Sequence, residues 1–192
     1  MLNKKTNTMR KLIVSEWTSL DGVFDSAHME QWFNPYHSDS RAGYIQEVIN
    51  NCEIMLYGRH TYEMLYPYWS QFQNNEMGVA DKMNRAKKYV VSTTMKNGDW
   101  QNTTIISDNI IGQLNALKQQ DGGAILVQGS GQLVATLLQA CLVDELKLLV
   151  QPHMMGTGTR LLKEGANIPL KLRSISELEN GVLALTYGPG KQ

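Results

Sequence analysis

The chain has 192 residues, 42% of them hydrophobic and 19% charged. This is globular composition at a length that lets one domain bury a sizeable core, which excludes a disordered or fibrous chain. With 18 Lys plus Arg against 18 Asp plus Glu, there is no basic surplus of the kind nucleic-acid or anionic-membrane partners demand, although a balanced total does not fix how the charges are distributed.

Only Cys52 and Cys141 occur, each in an apolar segment and with no CxxC, so reduced, buried thiols are expected. The opening "MLNKKTNTMRK" is charged without an apolar centre, and no run approaches the roughly 18 apolar residues of a membrane span. A cytoplasmic protein is therefore expected. His28, His37, His60 and His153 are scattered without metal-ligand spacing, so no metal site is expected.

After a polar tail over residues 1–9, one domain is expected over residues 10–190. "KLIVSEW" predicts a first strand. "TSLDGVFDSAHMEQWFNPYHSDS" is a long polar stretch of the kind that forms lids or binding loops. "RAGYIQEVINNC" sets Tyr44, Ile45, Val48 and Ile49 on one helical face, and "EIMLYG" is a second strand. A helix follows from about Thr61, which Pro67 must stop or bend. "KYVVSTT" and "NTTIIS" give two more strands, and Ile110, Ile111, Leu114 and Leu117 form a helical stripe. "AILVQ" is a fifth strand, "GSGQLVATLLQAC" a helix and "VDELKLLVQPHMMG" a strand. The end reads as a hairpin turning at Asn180-Gly181, a pair suited to positive φ. The order implies an α/β fold with a mostly parallel sheet and added C-terminal antiparallel strands.

Three strand ends in this order offer room for an anion. At "LYGRHTYE", Gly58 lets a ligand approach the backbone, Arg59 brings a planar cation, and Thr61 caps a helix or meets a phosphate. A capped surface helix with a solvated arginine explains the same residues. At "LVQGSGQL", Gly129, Ser130 and Gly131 present N–H groups before a helix, but Val134 stands where a dinucleotide fingerprint needs its third glycine. At "VVSTT", Ser92 and Thr93 end a strand where open α/β sheets bind ligands. All three would lie along one sheet edge. "GTGTR", residues 156–160, reads mainly as a turn.

In that order, "KLIVSEWTSLDGVFD", "IMLYGRHTYE", "KYVVSTT", "ILVQGSGQLVATLLQACLVDELKLLVQP" and "GTGTRLL" resemble the dihydrofolate reductase-like fold, and more closely the C-terminal reductase domain of riboflavin biosynthesis. The resemblance implies an NADPH-dependent reductase of a small heterocyclic substrate, similar to 5-amino-6-(5-phosphoribosylamino)uracil reductase, and a homodimer. It implies Arg59 at the adenosine 2′-phosphate, His60 and Thr61 beside the phosphates after Gly58, and Ser92 and Thr93 near the adenosine. It also implies backbone N–H groups of Gly129, Ser130 and Gly131 on the pyrophosphate, and Gly22 in a loop over the nicotinamide. Asp21 would face the substrate or the nicotinamide end.

Dihydrofolate reductases carry a carboxylate early on the helix before this corner. Here that region reads "SRAGYIQ", with Asp39 and Glu47 to either side, so a pterin is not the expected substrate. The zinc deaminase pattern is absent as well. Asp21 is the candidate acid, acting through water or orienting the substrate, while Asp-Gly is also a common turn pair. Trp32, Phe33 and Tyr36 would stack on a flat ring or anchor their loop, and Tyr62 would face the pocket. Glu16, the odd charge in the first strand, either lies outside the sheet or faces the site. A nucleotide-binding module without turnover, or a divergent dihydrofolate reductase, are the alternatives.

Overall fold

The computed structural model describes residues 9–162 and 165–191. The polar tail expected over residues 1–9 therefore lies, except for Met9, outside the described residues. An eight-stranded sheet runs in the order β4-β3-β2-β5-β1-β6-β8-β7. Its strands are β1 (Leu12–Ser19), β2 (Cys52–Gly58), β3 (Lys87–Val91), β4 (Thr103–Ile106), β5 (Ala124–Val127), β6 (Glu145–Gln151), β7 (Leu170–Glu177) and β8 (Leu183–Pro189). From β4 to β6 every pairing is parallel, and β8 then runs antiparallel to both β6 and β7. Asn180 and Gly181 have φ of 60° and 72° at the β7–β8 connection, the left-handed backbone that this pair tolerates.

The helices are α1 (Met29–Trp32), α2 (Asp39–Asn50), α3 (Arg59–Trp69), α4 (Ala80–Arg85), α5 (Ile110–Lys118) and α6 (Gly131–Gln139). Alternation along β2 sorts them onto two faces. Ile54 and Leu56 meet Leu114 and Leu117 of α5 and Leu133, Val134 and Leu137 of α6. Met55 and Tyr57 meet Val48 and Ile49 of α2, Tyr62 of α3 and Met83 of α4. Ser38 caps α2 through a hydrogen bond from Arg41 N, which is why that helix begins at Asp39, ahead of the apolar stripe that starts at Tyr44. Pro67 lies inside α3, one turn from its end at Trp69, close enough to the terminus that few backbone hydrogen bonds are lost.

Lys88 breaks the apolar pattern of β3, yet it is fully buried. Its ammonium donates to the carbonyls of Asn84, Ala86 and Gln101 and lies 4.5 Å from the Trp100 ring centroid. Desolvation lowers its pKa to about 8, and the three carbonyls, two at the end of α4 and one just before β4, satisfy it in place of an anion. The face packed against α5 and α6 is the larger core. Leu137 is fully buried there, so Leu137→Ala is expected to cost about 2–5 kcal/mol in chemical denaturation without changing the slope.

Candidate active site

The site arises where the sheet splits. β1 pairs with β5 only through Leu12, Val14 and the residue between them, and β1 then continues to Ser19 while β5 stops at Val127. The next helix after β5, α6, packs on one face of the sheet, and the next after β2, α3, packs on the other. Adjacent parallel strands whose helices leave to opposite faces open a crevice at their carboxyl ends. A cavity of about 280 Å³ fills it. Its walls are Ser15, Glu16 and Trp17 of β1, Phe24, Asp25, Met29 and Trp32 of the following segment, His60, Thr61, Met64 and Leu65 of α3, and Gln128, Gly129 and Ser130.

The two strand-to-helix corners at this crevice are interlocked. A Cβ on Gly58 would stand 2.5 Å from Ser130 Oγ, and one on Gly129 would stand 2.5 Å from Thr61 Oγ1. Gly58 N donates to the Gly129 carbonyl at 3.0 Å. No other side chain fits such an approach. The N-termini of α3 and α6 therefore lie side by side. Among the described residues, nothing accepts from the N–H groups of Ser130, Gly131 or Gln132. Free N–H groups and two helix dipoles at one mouth form an anion site.

Three carboxyl groups near the crevice are driven apart by their surroundings. Asp21 accepts from Ser19 Oγ at 2.6 Å, Met155 N at 3.1 Å and Gly156 N at 2.8 Å, and these donors hold its pKa down at about 2. Arg160 donates to the Asp21 carbonyl and faces its carboxylate. The pKa of Asp25 is lowered first by the N–H of Ala27, which it caps, with Thr159 adding a further donor. Glu16 is the opposite case. It is 7% exposed on the cavity wall and receives one hydrogen bond, from Gly129 N at 2.6 Å. Burial pushes its carboxyl up to about 8. Sequence left open where Glu16 points; β1 alternation together with the early end of β5 aims it into the crevice.

Of the expected site residues, Gly58, His60, Thr61, Gly129, Ser130, Gly131 and Trp32 gather here. Trp32 lines the cavity with its indole N–H on the Asp25 carbonyl, and a Cβ on Gly131 would strike the Phe24 ring. Arg59 begins α3 and pairs with Glu63 at 3.3 Å. The Gly129 N–H, expected on a pyrophosphate, is taken by Glu16, which leaves Ser130 and Gly131 as donors. Tyr62, expected beside a substrate, instead turns into the core, because its hydroxyl accepts from Trp100 N and its ring stacks on Tyr66. Ser92 and Thr93 follow β3 outside the cavity wall, and the Ser92 hydroxyl accepts from Thr94 N and Met95 N. Asp21 and Gly22 also stand off the wall. Gly22 takes φ of 82° in the turn, and Asp21 ties that turn to the 155–160 segment.

Sequence reasoning passed over Arg41. It is buried in the first turn of α2, donates to the Phe33 carbonyl and lies 4.0 Å from the Phe33 ring centroid. Phe33 in turn stacks on Trp17 at 4.3 Å. Asp39, two residues earlier, is exposed, so α2 brings a cation rather than a carboxylate inward, and the buried acid of the crevice comes from β1.

The raised pKa of Glu16 links stability to pH. A carboxyl whose folded pKa (about 8) exceeds its ordinary value (4.5) favours the folded state fully below the lower value. That contribution is lost as pH rises through the upper one. Glu16→Gln is therefore expected to gain stability over wild type between pH 5 and pH 9, on the order of 3 kcal/mol. Thermal melts of both proteins at the two pH values measure it, at about 2–4 °C per kcal/mol.

Known proteins share this fold. Residues 10–184 match the model of the RibD C-terminal domain. The chain is 29% identical over 186 residues to YyaP of Bacillus subtilis (strain 168), covering 93% of this chain and 94% of that one. A putative riboflavin biosynthesis protein from Shewanella sp. PV-4 superposes with a TM-score of 0.69 at 20% identity, over 94% of this chain and 99% of that one. Dihydrofolate reductase from Enterococcus faecalis, in complex with NADP(H), superposes with a TM-score of 0.63 at 12% identity, over 94% and 97%. The fold is dihydrofolate reductase-like, and the chain belongs to the RibD C-terminal domain family.

Proposed function

We propose that the chain is an NADPH-dependent reductase of a small heterocyclic substrate, with residues 10–190 forming one reductase domain. The observation that carries this reading is the meeting of two helix N-termini, with unpaired N–H groups, at the mouth of a cavity walled by Trp17, Phe24 and Trp32. A dinucleotide needs both an anion cradle and an apolar slot for a flat ring, and the two adjoin here.

When bound, NADPH supplies a hydride for the substrate. The Ser130 and Gly131 N–H groups hold the pyrophosphate, and the interlocked glycines keep those donors in place without side-chain bulk. Arg59 leaves Glu63 to meet the 2′-phosphate, while His60 and Thr61 line the approach. Trp17 is backed by Phe33 and Arg41 and, with Trp32, forms the wall against which a flat acceptor lies. The Asp21 clamp holds the turn at Gly22. The acceptor we favour resembles the pyrimidine of riboflavin biosynthesis, in keeping with the family. With no carboxylate in the stretch from Ser40 to Gln46, dihydrofolate is not the favoured substrate.

Two copies are part of the proposal, in a cytoplasmic setting. Leu148, Leu185 and Ile175 stand in register across β6, β8 and β7. Ile175 is 57% exposed and Leu172 48% exposed, an apolar sheet face suited to self-association. Ile175→Asp is expected to shift the protein toward monomer in sedimentation velocity at micromolar concentration, and an unchanged profile would count against this face.

Coenzyme binding is measured by titrating NADPH and NADH against tryptophan fluorescence. NADPH is expected to bind more tightly than NADH, and Arg59→Ala to weaken NADPH by about tenfold or more, as losing a charged hydrogen bond of about 1.5–3 kcal/mol requires. Glu63→Gln, which frees Arg59, is expected to tighten NADPH by about two- to fivefold. If neither nucleotide bound, the reductase reading would end.

A further inference from the structure

We propose that Glu16 is the acid of this site: its carboxyl delivers a proton to the nitrogen or oxygen of the substrate's double bond as the adjoining carbon is reduced. This deepens the reductase reading and rests on it.

Position makes the case first. Glu16 is on the strand that continues past the end of β5, so its carboxyl enters the crevice from the floor, between Trp17 and the Gly129–Ser130 turn. One oxygen is fixed by the Gly129 N–H at 2.6 Å. That single bond orients the carboxyl without neutralising it, and among the described residues no cation pairs with it. The hydroxyl of a protonated carboxyl is then the natural donor into the cavity.

The other ionisable groups facing the crevice do not compete. Asp25 is spent capping Ala27 and accepting from Thr159, and its pKa is lowered. Asp21 is held ionised by three donors away from the wall. His60, at the first turn of α3, is exposed at the rim. Neither α5 nor α6 contributes a charged group to the wall. Two neighbouring carboxyls kept ionised and a third kept neutral is the arrangement by which one pocket separates an acid from orienting anions. Desolvation alone raises the Glu16 pKa, to about 8, and this places a proton where working pH can use it.

The chemistry balances. A hydride from the reduced nicotinamide, with its electron pair, forms the new C–H bond on a C=N or C=O carbon. The π pair on nitrogen or oxygen takes the proton from the Glu16 carboxyl, the coenzyme is oxidised, the acceptor is reduced, and water reprotonates the carboxylate afterwards. The substrate class is a flat, neutral ring system that carries such a bond and has an acceptor atom within reach of β1.

The test uses the full chain, and its first readout is independent of turnover. Infrared difference spectra should show a protonated-carboxyl C=O band at neutral pH, lost in Glu16→Gln and titrating near pH 8. A Glu16 that is already ionised at neutral pH overturns the proposal. The second readout is NADPH oxidation with two acceptors of one shape. One is a weakly basic neutral cyclic imine, which must gain a proton; the other is its N-methyl iminium cation, which takes hydride alone. Glu16→Gln should lower the ratio of imine to iminium rates about a hundredfold, and Glu16→Asp should restore part of it. The wild-type ratio should fall as pH rises through about 8. Equal losses on both acceptors would make Glu16 a structural residue and overturn the proposal, as would wild type that binds NADPH but leaves the imine untouched. Failure to bind NADPH, with the infrared band in place, would instead bring down the reductase reading.

Discussion

Everything at the site depends on how closely two strand ends approach. β2 and β5 are neighbours in a parallel sheet, and their helices diverge to opposite faces. The only way to start both helices at the same mouth is to let the corners touch. Gly58 against Ser130 and Gly129 against Thr61 provide that contact, and a methyl group at either glycine would force the corners apart. The same turn donates the Gly129 N–H to Glu16, so the anion cradle, the corner packing and the buried acid share one short segment. A substitution there would act on all three at once, because neighbouring effects of this kind do not add independently.

Around that segment the environment sorts like residues into unlike roles. Glu16, Asp21 and Asp25 are all carboxylic acids within one loop and one strand. Several donors surround Asp21 and Asp25, whereas Glu16 is buried with a single N–H. The aromatic wall is built in layers in the same way: the Arg41 guanidinium over Phe33, Phe33 against Trp17, Trp17 at the cavity. A stacked wall of this kind keeps a flat slot open without a ligand inside it.

Much of this was legible in the sequence. β2, β3 and β5 are short apolar runs ended by Gly or Ser, and α5 and α6 carry plain helical stripes, so the succession of these elements along the chain and the C-terminal hairpin followed from periodicity and turn residues. The glycine corners were legible because glycine has few other reasons to stand between an apolar strand and a helix. What could not be read was direction. Tyr62 sits on the first turn of α3, and only the three-dimensional position of Trp100 draws its hydroxyl into the core. Lys88 reads as a surface residue, because the carbonyls that satisfy it come from α4 and the β4 approach, distant from one another in sequence. Asp21 and Glu16 differ in burial and in who donates to them, and apart from Ser19 those donors lie more than a hundred residues away, at Met155, Gly156 and Gly129.

The account stands or falls on where a dinucleotide lies in this crevice. A crystal structure of the protein grown with NADPH addresses that directly. The account predicts the pyrophosphate on the N–H groups of Ser130 and Gly131, the 2′-phosphate at Arg59, and the nicotinamide ring in the β1–β5 split beside Glu16 and Trp17. A nucleotide bound elsewhere, with the split filled only by solvent, would contradict it.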